Sequence, residues 1–186
     1  MRRLRNANPK KAVEVWAQDE ARLGLKPIAR RVWALRGQRP RSCGRTRYQW
    51  LYLYGFVRPR TGDTFGVLLP RVKAGRMSEA LAEFAAHADP AGKKVLVVLV
   101  DNAGWHKAKA LVVPSNVAPH FLPPCTPELQ PAEPLWPLVR EAVANRSLGR
   151  IDRLRTIVRA RIGYLAQHPD EVQPRVGFRW AVGLEQ

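Results

Sequence analysis

The chain has 186 residues, 46% of them hydrophobic, so it can fold around a core of its own and is not a disordered tail. Thirty-two Lys and Arg residues, most of them Arg, oppose 15 Asp and Glu residues, which gives a formal net charge of +17. This excess favours a polyanionic partner, nucleic acid before a membrane surface, over a merely soluble basic protein. The longest apolar run is only six residues, Val95 to Val100, and the two cysteines are far apart. We therefore expect no membrane span, zinc site or disulfide framework, and a cytoplasmic, nucleoid-associated location.

The first predicted element is a strand. Residues 1–11 are polar and basic and are expected to fray. The alternation from Val13 to Gln18 predicts a strand that runs into Asp19 and Glu20. A period of two places Asp19 on one face and Glu20 on the other, so we interpret Glu20 as structural.

Residues 22–48 hold nine cations and no acid. We predict a hairpin or extended loop that projects from the core as a basic arm. A phosphate-facing arm is favoured over an ordinary solvated loop because so many cations occur without an anion. The predicted DNA-binding residues of the arm are Arg30, Arg31, Arg36, Arg39, Arg41, Arg45 and Arg47.

The middle of the chain predicts a hairpin, a helix and a buried strand. Residues 49–69 form two strand-like runs around a Pro- and Gly-containing turn. Apolar residues at helical spacing between Met77 and Ala85 predict an amphipathic helix that ends near Asp89. Lys94 to Val100 is almost wholly Val and Leu, which is typical of a strand buried on both faces.

The last third of the chain predicts one more strand and several helices. Residues 105–113 are read as a short helix, 117–122 as a fifth strand, and 135–143 and 151–165 as helical stripes. The tail, 170–186, contains turn residues and an aromatic cluster. A hairpin-led sheet followed by helical connections predicts a single mixed α/β domain over residues 1–186, with five strands flanked by helices.

Three carboxylates fall where a sheet can gather them. Asp19 lies on the first strand, Asp101 ends the buried strand, and Glu133 precedes a helical stripe. Ligands of open α/β sheets sit beyond the carboxyl ends of strands, although Asp101 is equally well interpreted as a helix cap. Gathered carboxylates repel each other, and a divalent cation with a preference for oxygen ligands, Mg²⁺ or Mn²⁺, relieves that repulsion. Two such ions support cleavage of a phosphodiester.

Several stretches together resemble one family. They are residues 16–25 (WAQDEARLGL), 31–40 (RVWALRGQRP), 100–106 (VDNAGWH), 122–136 (LPPCTPELQPAEPLW) and 177–180 (GFRW). In this order they are similar to the motifs of DDE transposases of the mariner superfamily, in its bacterial insertion-sequence branch. The resemblance covers nearly the whole chain.

The resemblance implies an RNase H-like fold and a catalytic triad of Asp19, Asp101 and Glu133 that binds two Mg²⁺ or Mn²⁺ ions. It also implies metal-dependent cleavage and strand transfer in cut-and-paste transposition. The implied partners are DNA, as transposon ends and target, and a second copy in a homodimer that bridges the ends. The arm would contact DNA or the partner subunit.

The sequence departs from the family pattern in three ways. Only 31 residues separate Asp101 from Glu133, a few fewer than usual. Pro134 follows Glu133, and because proline is tolerated only in a first helical turn, the helix is expected to begin near Ala132. We also expect the N-terminal helix-turn-helix domain to be missing, so recognition of transposon ends would come from a separate helix-turn-helix chain or a frameshifted fusion, or would not occur.

These departures keep two alternatives open. The chain is an active recombinase domain, or it is an inactive or truncated remnant that only binds DNA. A different RNase H-like nuclease, which cleaves without strand transfer, is a third hypothesis. Among other residues, Asn102 and His106 are possible active-site neighbours, and Glu128 competes with Glu133 for the third position. Trp136 is interpreted as a core residue.

Overall fold

A computed structural model describes residues 1–41 and 48–185. Within them lie six helices, five strands and one short 3₁₀ turn. The elements are α1 (Arg2–Ala7), β1 (Ala12–Gly24), β2 (Trp50–Val57), β3 (Thr64–Leu69), α2 (Ala74–Ala88), β4 (Lys94–Val100), β5 (Val117–Phe121), the 3₁₀ turn Pro127–Leu129, α3 (Leu135–Glu141), α4 (Ile151–Gln167), α5 (Pro169–Val176) and α6 (Arg179–Gly183). No helix in this part of the chain is long and apolar enough to cross a membrane.

The five strands form one mixed sheet in the order β3-β2-β1-β4-β5. β1, β2 and β3 pair antiparallel, whereas β4 runs parallel to β1 and to β5. The register pairs Ala17 with Leu99 and Asp19 with Gly55. The predicted hairpin and the predicted five-stranded mixed sheet are therefore confirmed.

Helices cover both faces of the sheet. On one face, Val15, Ala17 and Leu23 of β1 pack in a core with α3, α4 and α5. On the other face, Trp16 and residues of β2 and β4 pack against α2, where the rings of Phe56 and Phe84 stack with centroids 4.2 Å apart. The alternation along β1 thus separates two cores, as a period of two requires.

β1 is longer than the sequence pattern indicates. It continues past Asp19 to Gly24 because β2 pairs with it as far as Trp50. The helix expected over residues 105–113 is wrong: that segment consists of turns and irregular chain. The expected fraying of residues 1–11 is also wrong, since Met1 and Leu4 pack against the core and Arg5 donates to the carbonyl of Leu184.

The helix expected to begin near Ala132 begins three residues later, as α3. The N–H groups of Leu135 and Trp136 donate to the carbonyls of Ala132 and Glu133, at 3.0 and 3.1 Å, in successive tight turns. The next α-helical bond to Glu133 would have to come from residue 137, which is proline and has no N–H. Glu133 therefore lies on a turn and not on the helix.

Candidate metal-binding active site

The three predicted carboxylates line one cleft at the end of the sheet where β4 and β5 finish. Asp19 comes from the middle of β1, Asp101 directly follows β4, and Glu133 comes from the turn before α3. The cleft has a volume of about 430 Å³. Glu128, the competitor for the third position, is exposed and is not among the residues that line it. The fold thus gathers acids that are up to 114 positions apart in the sequence.

Asp19 is held by a side chain that the sequence analysis assigned only to the core. The indole Nε1 of Trp136 donates to Asp19 Oδ2 at 2.7 Å, while the ring itself is buried. Gly55, the cross-strand partner of Asp19, leaves room for that ring: a Cβ there would lie 2.7 Å from Trp136 Cη2. Trp136 is therefore both a core residue and a support for the carboxylate. The sequence shows the motif that contains Glu133 and Trp136, but it does not show that Trp136 contacts Asp19.

The environment of Asp19 disfavours its negative charge. Burial raises the pKa of Asp19 to about 7, and the nearby charges of Glu133 and Glu20 act in the same direction. Hydrogen bonds from Trp136 and from the backbone of Glu20 lower the pKa but do not offset these effects. A bound cation would relieve the same strain by neutralising the charge.

Asp101 is held by a second group of side chains. Its Oδ1 accepts the backbone N–H of Ala103 at 2.9 Å, a local bond of the chain after β4; because no helix follows there, the helix-cap interpretation is wrong. The same oxygen lies 2.8 Å from His106 Nδ1. Half of the Asp101 side chain remains exposed to the cleft, at 51%. Asp101 therefore makes a local bond to the backbone and still lines the cleft.

Behind Asp101, His106 is buried between two carboxylates. Its Nε2 lies 3.1 Å from Glu20 Oε1, and the indole of Trp105 also donates to Glu20. Burial lowers the pKa of His106, but the hydrogen bond and charge of Glu20 and the charge of Asp101 raise it above its ordinary value. An imidazolium in this position donates to both acids and fixes Asp101. Glu20 is structural, and its part in supporting Asp101 is a contact that sequence periodicity could not reveal.

The loops that complete the cleft are tied to the sheet. The side-chain amide of Asn102 donates to the carbonyl of Leu122, which links the ends of β4 and β5. The amide of buried Gln130 donates to the backbone carbonyl of Gln18 at 3.0 Å. Glu133, three residues further on, is exposed. The segment before Glu133 is therefore anchored, while the Glu133 side chain itself is exposed.

As arranged, the carboxylates line a common cleft without closing on one point. Within residues 1–41 and 48–185, no group of three or more His, Cys, Asp or Glu side chains is close enough to hold a metal ion. The donors nevertheless have the right chemistry, because hard carboxylate oxygens suit Mg²⁺ and Mn²⁺. Completion of such a site requires the three carboxylates to close on one point.

The basic arm is separate from this cleft. Residues 25–41 contain neither helix nor strand, and the predicted DNA-binding residues Arg30, Arg31, Arg36, Arg39 and Arg41 are all exposed. None of these five lines the cleft. At its root, the arm is fixed by Asn145, whose side chain bonds to both backbone groups of Arg30. Arg45 and Arg47 lie outside the described residues.

This chain is similar in sequence to a known protein family and to a bacterial protein. A family model described as DDE superfamily endonuclease matches residues 14–155. An uncharacterized protein of Sinorhizobium fredii (strain NBRC 101917 / NGR234), y4pE/y4sA, is 37% identical over 134 residues, which are 71% of this chain and 97% of that protein.

Two solved structures of the mariner transposase Mos1 share the fold. A pre-cleavage Mos1 transpososome matches 99% of this chain with a TM-score of 0.63 at 16% identity. A Mos1 paired-end complex with Mn matches 99% with a TM-score of 0.59 at 17% identity. The chain spans only 58 and 60% of these Mos1 chains.

The predicted RNase H-like fold is confirmed by this likeness, and the expected DDE family by the match over most of the chain. The matched region, residues 14–155, includes Asp19, Asp101 and Glu133. The chain belongs to the DDE superfamily of endonucleases.

Proposed function

We propose that the chain is the catalytic domain of a transposase, which cuts DNA and joins the freed 3′ end to target DNA. The observation that carries this proposal is the convergence of Asp19, Asp101 and Glu133 on one cleft, in a chain with a net charge of +17. Three carboxylates in one cleft of a strongly basic chain suit phosphodiester chemistry better than acyl transfer, which needs a nucleophile paired with a base.

Asp19, Asp101 and Glu133 would hold the metal, two Mg²⁺ or Mn²⁺ ions. When bound, such ions activate a water or a 3′-hydroxyl and stabilise the leaving oxygen. The raised pKa of Asp19 supports this assignment, because an acid that is costly to ionise gains most from a cation. The Mos1 paired-end complex with Mn is a precedent for the metal in this fold.

The chain's own residues orient the ligands. Trp136 holds Asp19 by one oxygen, and His106 holds Asp101. The Glu133 side chain is exposed, and the three carboxylates would have to close on one point to complete the site. Asn102 keeps the strand ends on either side of the cleft together.

The proposed partner is DNA, as transposon ends and target, and the proposed assembly is a homodimer that bridges two ends. The exposed arginines of the arm and the net charge support DNA binding. The Mos1 pre-cleavage transpososome and paired-end complex support DNA as the partner by analogy of fold, and the homodimer rests on the family resemblance. End recognition by a separate helix-turn-helix chain is part of this proposal.

The test is a cleavage and joining assay on a plasmid that carries the DNA flanking the chain's own gene, with Mg²⁺ or Mn²⁺. Wild type is compared with Glu133→Gln and with Glu128→Gln, an exposed glutamate five residues away that does not line the cleft. We expect Glu133→Gln to lose both steps and Glu128→Gln to retain them. Equal activity of the two variants would remove Glu133 from the proposed triad.

The alternative is a DNA-binding remnant, which is favoured by the absence of a closed metal group among the described residues. Calorimetric titration with Mn²⁺ distinguishes the two. Binding that requires all three carboxylates supports the enzyme, whereas DNA binding with no metal uptake and no cleavage supports the remnant. Cleavage without joining would indicate a nuclease instead of a transposase.

A further inference from the structure

A second, larger concavity lies at the root of the basic arm. Its volume is about 770 Å³, and it is formed where the arm leaves β1 and returns to β2, beside α3. We call it the arm groove and define it by the lining residues Arg22, Lys26, Tyr48, Gln49, Trp50 and Arg140. The proposed catalysis does not use any of them.

The chemistry of the arm groove is cationic and aromatic. Arg22, Lys26 and Arg140 line it without any acidic residue, and in the described part of the chain none of the three pairs with a carboxylate. Two rings are open to it: Tyr48 is 87% and Trp50 44% exposed. Exposed rings beside cations are able to stack on the bases of a nucleic acid.

Arg22 and Trp50 form a composite surface in this groove. The guanidinium of Arg22 lies 5.3 Å from the centroid of the Trp50 ring, in a cation–π contact. The contact orders a flat ring next to a charge that remains available to an anion. A ligand that fits must therefore offer both planar apolar groups and negative charges.

From these features we propose that the arm groove binds single-stranded DNA, with bases on Tyr48 and Trp50 and phosphates on Arg22, Lys26 and Arg140. Stacking of bases on aromatic rings within a positively charged groove is how proteins hold single strands without sequence preference. A duplex hides its bases and would use only the cations. An acidic peptide would use the charges but leave the rings exposed.

The position of the groove suggests which nucleotides it would bind; this step rests on the proposed function. Asp19 and Gly24 lie five residues apart on β1, which corresponds to about 16 Å along a strand. That distance matches roughly five stacked nucleotides at 3.4 Å each. The groove would hold unpaired nucleotides next to the phosphate that is cut, and so keep the cleaved strand near the carboxylates.

The test measures binding of a fluorescent 12-nucleotide oligo(dT) and of a duplex of equal length by anisotropy, in EDTA so that cleavage cannot contribute. We expect Tyr48→Ala and Trp50→Leu each to weaken single-strand binding roughly 10-fold and duplex binding less than twofold. Trp50→Phe, which keeps a flat ring, should restore most of the affinity. Trp180→Ala removes a similarly exposed indole, 37%, on α6 and should bind as wild type.

Several outcomes would overturn the inference. They are unchanged single-strand affinity in both ring variants, an equal loss for duplex, or tighter binding of an oligo(U) RNA of the same length. Tyr48→Ala keeps the test valid if the strand variant does not fold, because Tyr48 precedes β2 and is almost fully exposed. Cleavage activity is assayed separately. If the wild-type protein cleaves DNA but the ring variants bind single strands as well as it does, only this inference is wrong. If single-strand binding depends on the rings but the protein does not cleave DNA, only the transposase proposal is wrong.

Discussion

The two ends of β4 carry acids with opposite environments. At the start of the strand, the Asp89 carboxylate accepts the backbone N–H groups of Lys93 and Lys94, at 2.8 and 3.1 Å, and the amide of Asn116 at 3.0 Å. Burial raises the pKa of Asp89, but these bonds and the charge of Lys94 outweigh burial and lower it overall. Asp89 is therefore a saturated carboxylate that ties the end of α2 to the sheet.

Near the other end of β4, Asp19 of the neighbouring strand β1 is buried close to other acids. Burial, with the nearby charges of Glu133 and Glu20, raises the pKa of Asp19 to about 7 instead of lowering it. The contrast separates a carboxylate that protein donors satisfy from one, the proposed metal ligand Asp19, that the fold leaves next to other acids. Asp89 accepts three hydrogen bonds that outweigh its burial, whereas the two that Asp19 accepts do not offset its burial and the nearby acids, at some cost to stability.

The largest expected effect comes from replacing an aspartate with asparagine, at Asp19 and, for comparison, at Asp89. Asp19→Asn removes a metal ligand, so we expect Mn²⁺ affinity and cleavage to fall by more than about 100-fold, beyond the usual loss for an outer-shell partner. The amide removes the cost of a buried charge and still accepts the Trp136 indole, so the Tm should stay equal or rise. Calorimetry and thermal unfolding at pH 8 measure the two effects.

Asp89→Asn is the matched change at the saturated end. The substitution replaces one acceptor oxygen with an NH₂ group, so one of the buried N–H donors around Asp89 loses its partner. We therefore expect the free energy of unfolding to fall by about 1–3 kcal/mol. Mn²⁺ affinity should not change. If Asp19→Asn destabilised the fold as much as Asp89→Asn, the distinction between the two ends of β4 would be wrong.

The next effect concerns the space beneath Trp136. Gly55→Ala places a Cβ 2.7 Å from Trp136 Cη2, which must shift the ring whose N–H holds Asp19. We expect Mn²⁺ affinity to fall roughly 10- to 100-fold, as for other outer-shell changes. Overpacking should also lower the free energy of unfolding by about 1–3 kcal/mol.

Gly66→Ala is the control for overpacking alone. Gly66 pairs with Gly55 across β2 and β3, and its Cβ would meet Leu53 and Ile162 at 3.0 and 3.1 Å, away from the carboxylates. We expect a comparable loss of stability with unchanged Mn²⁺ affinity. Equal losses of affinity in the two variants would mean that metal binding follows global stability and not the position of Trp136.

A smaller effect is expected behind Asp101. Glu20→Gln keeps the size of the side chain but removes the charge that favours a doubly protonated His106. We expect Mn²⁺ affinity to fall about 10-fold, at the lower limit for an outer-shell partner. Glu79→Gln, an exposed glutamate on α2 paired with Arg76, is the control and should bind Mn²⁺ as wild type. If Glu20→Gln and Glu79→Gln bound Mn²⁺ equally well, the charge of Glu20 would have no part in metal binding.

The sequence predicted the strands better than the supports of the site. The apolar run of β4 and the alternation before Asp19 are local signals, because each face of a strand requires its own residue type. The bond from Trp136 to Asp19 joins residues 117 positions apart, and the tight turns at Glu133 depend on where prolines remove donors. Such contacts follow from three-dimensional packing, which a one-dimensional pattern does not encode.

The smallest expected effect is a pH dependence at the saturated end of β4. Since the folded pKa of Asp89 is below its ordinary value of 3.8, its ionised form is the one that stabilises the fold. Its contribution is fully present above the unfolded pKa and is lost as the pH falls through the folded pKa. The difference in unfolding free energy between wild type and Asp89→Asn, measured in urea, should therefore be constant from pH 7 to about pH 5 and shrink toward pH 3. A difference that persists undiminished at pH 3 would show that the Asp89 carboxylate acts through packing, and the contrast between satisfied and unsatisfied acids at the two ends of β4 would lose its electrostatic basis.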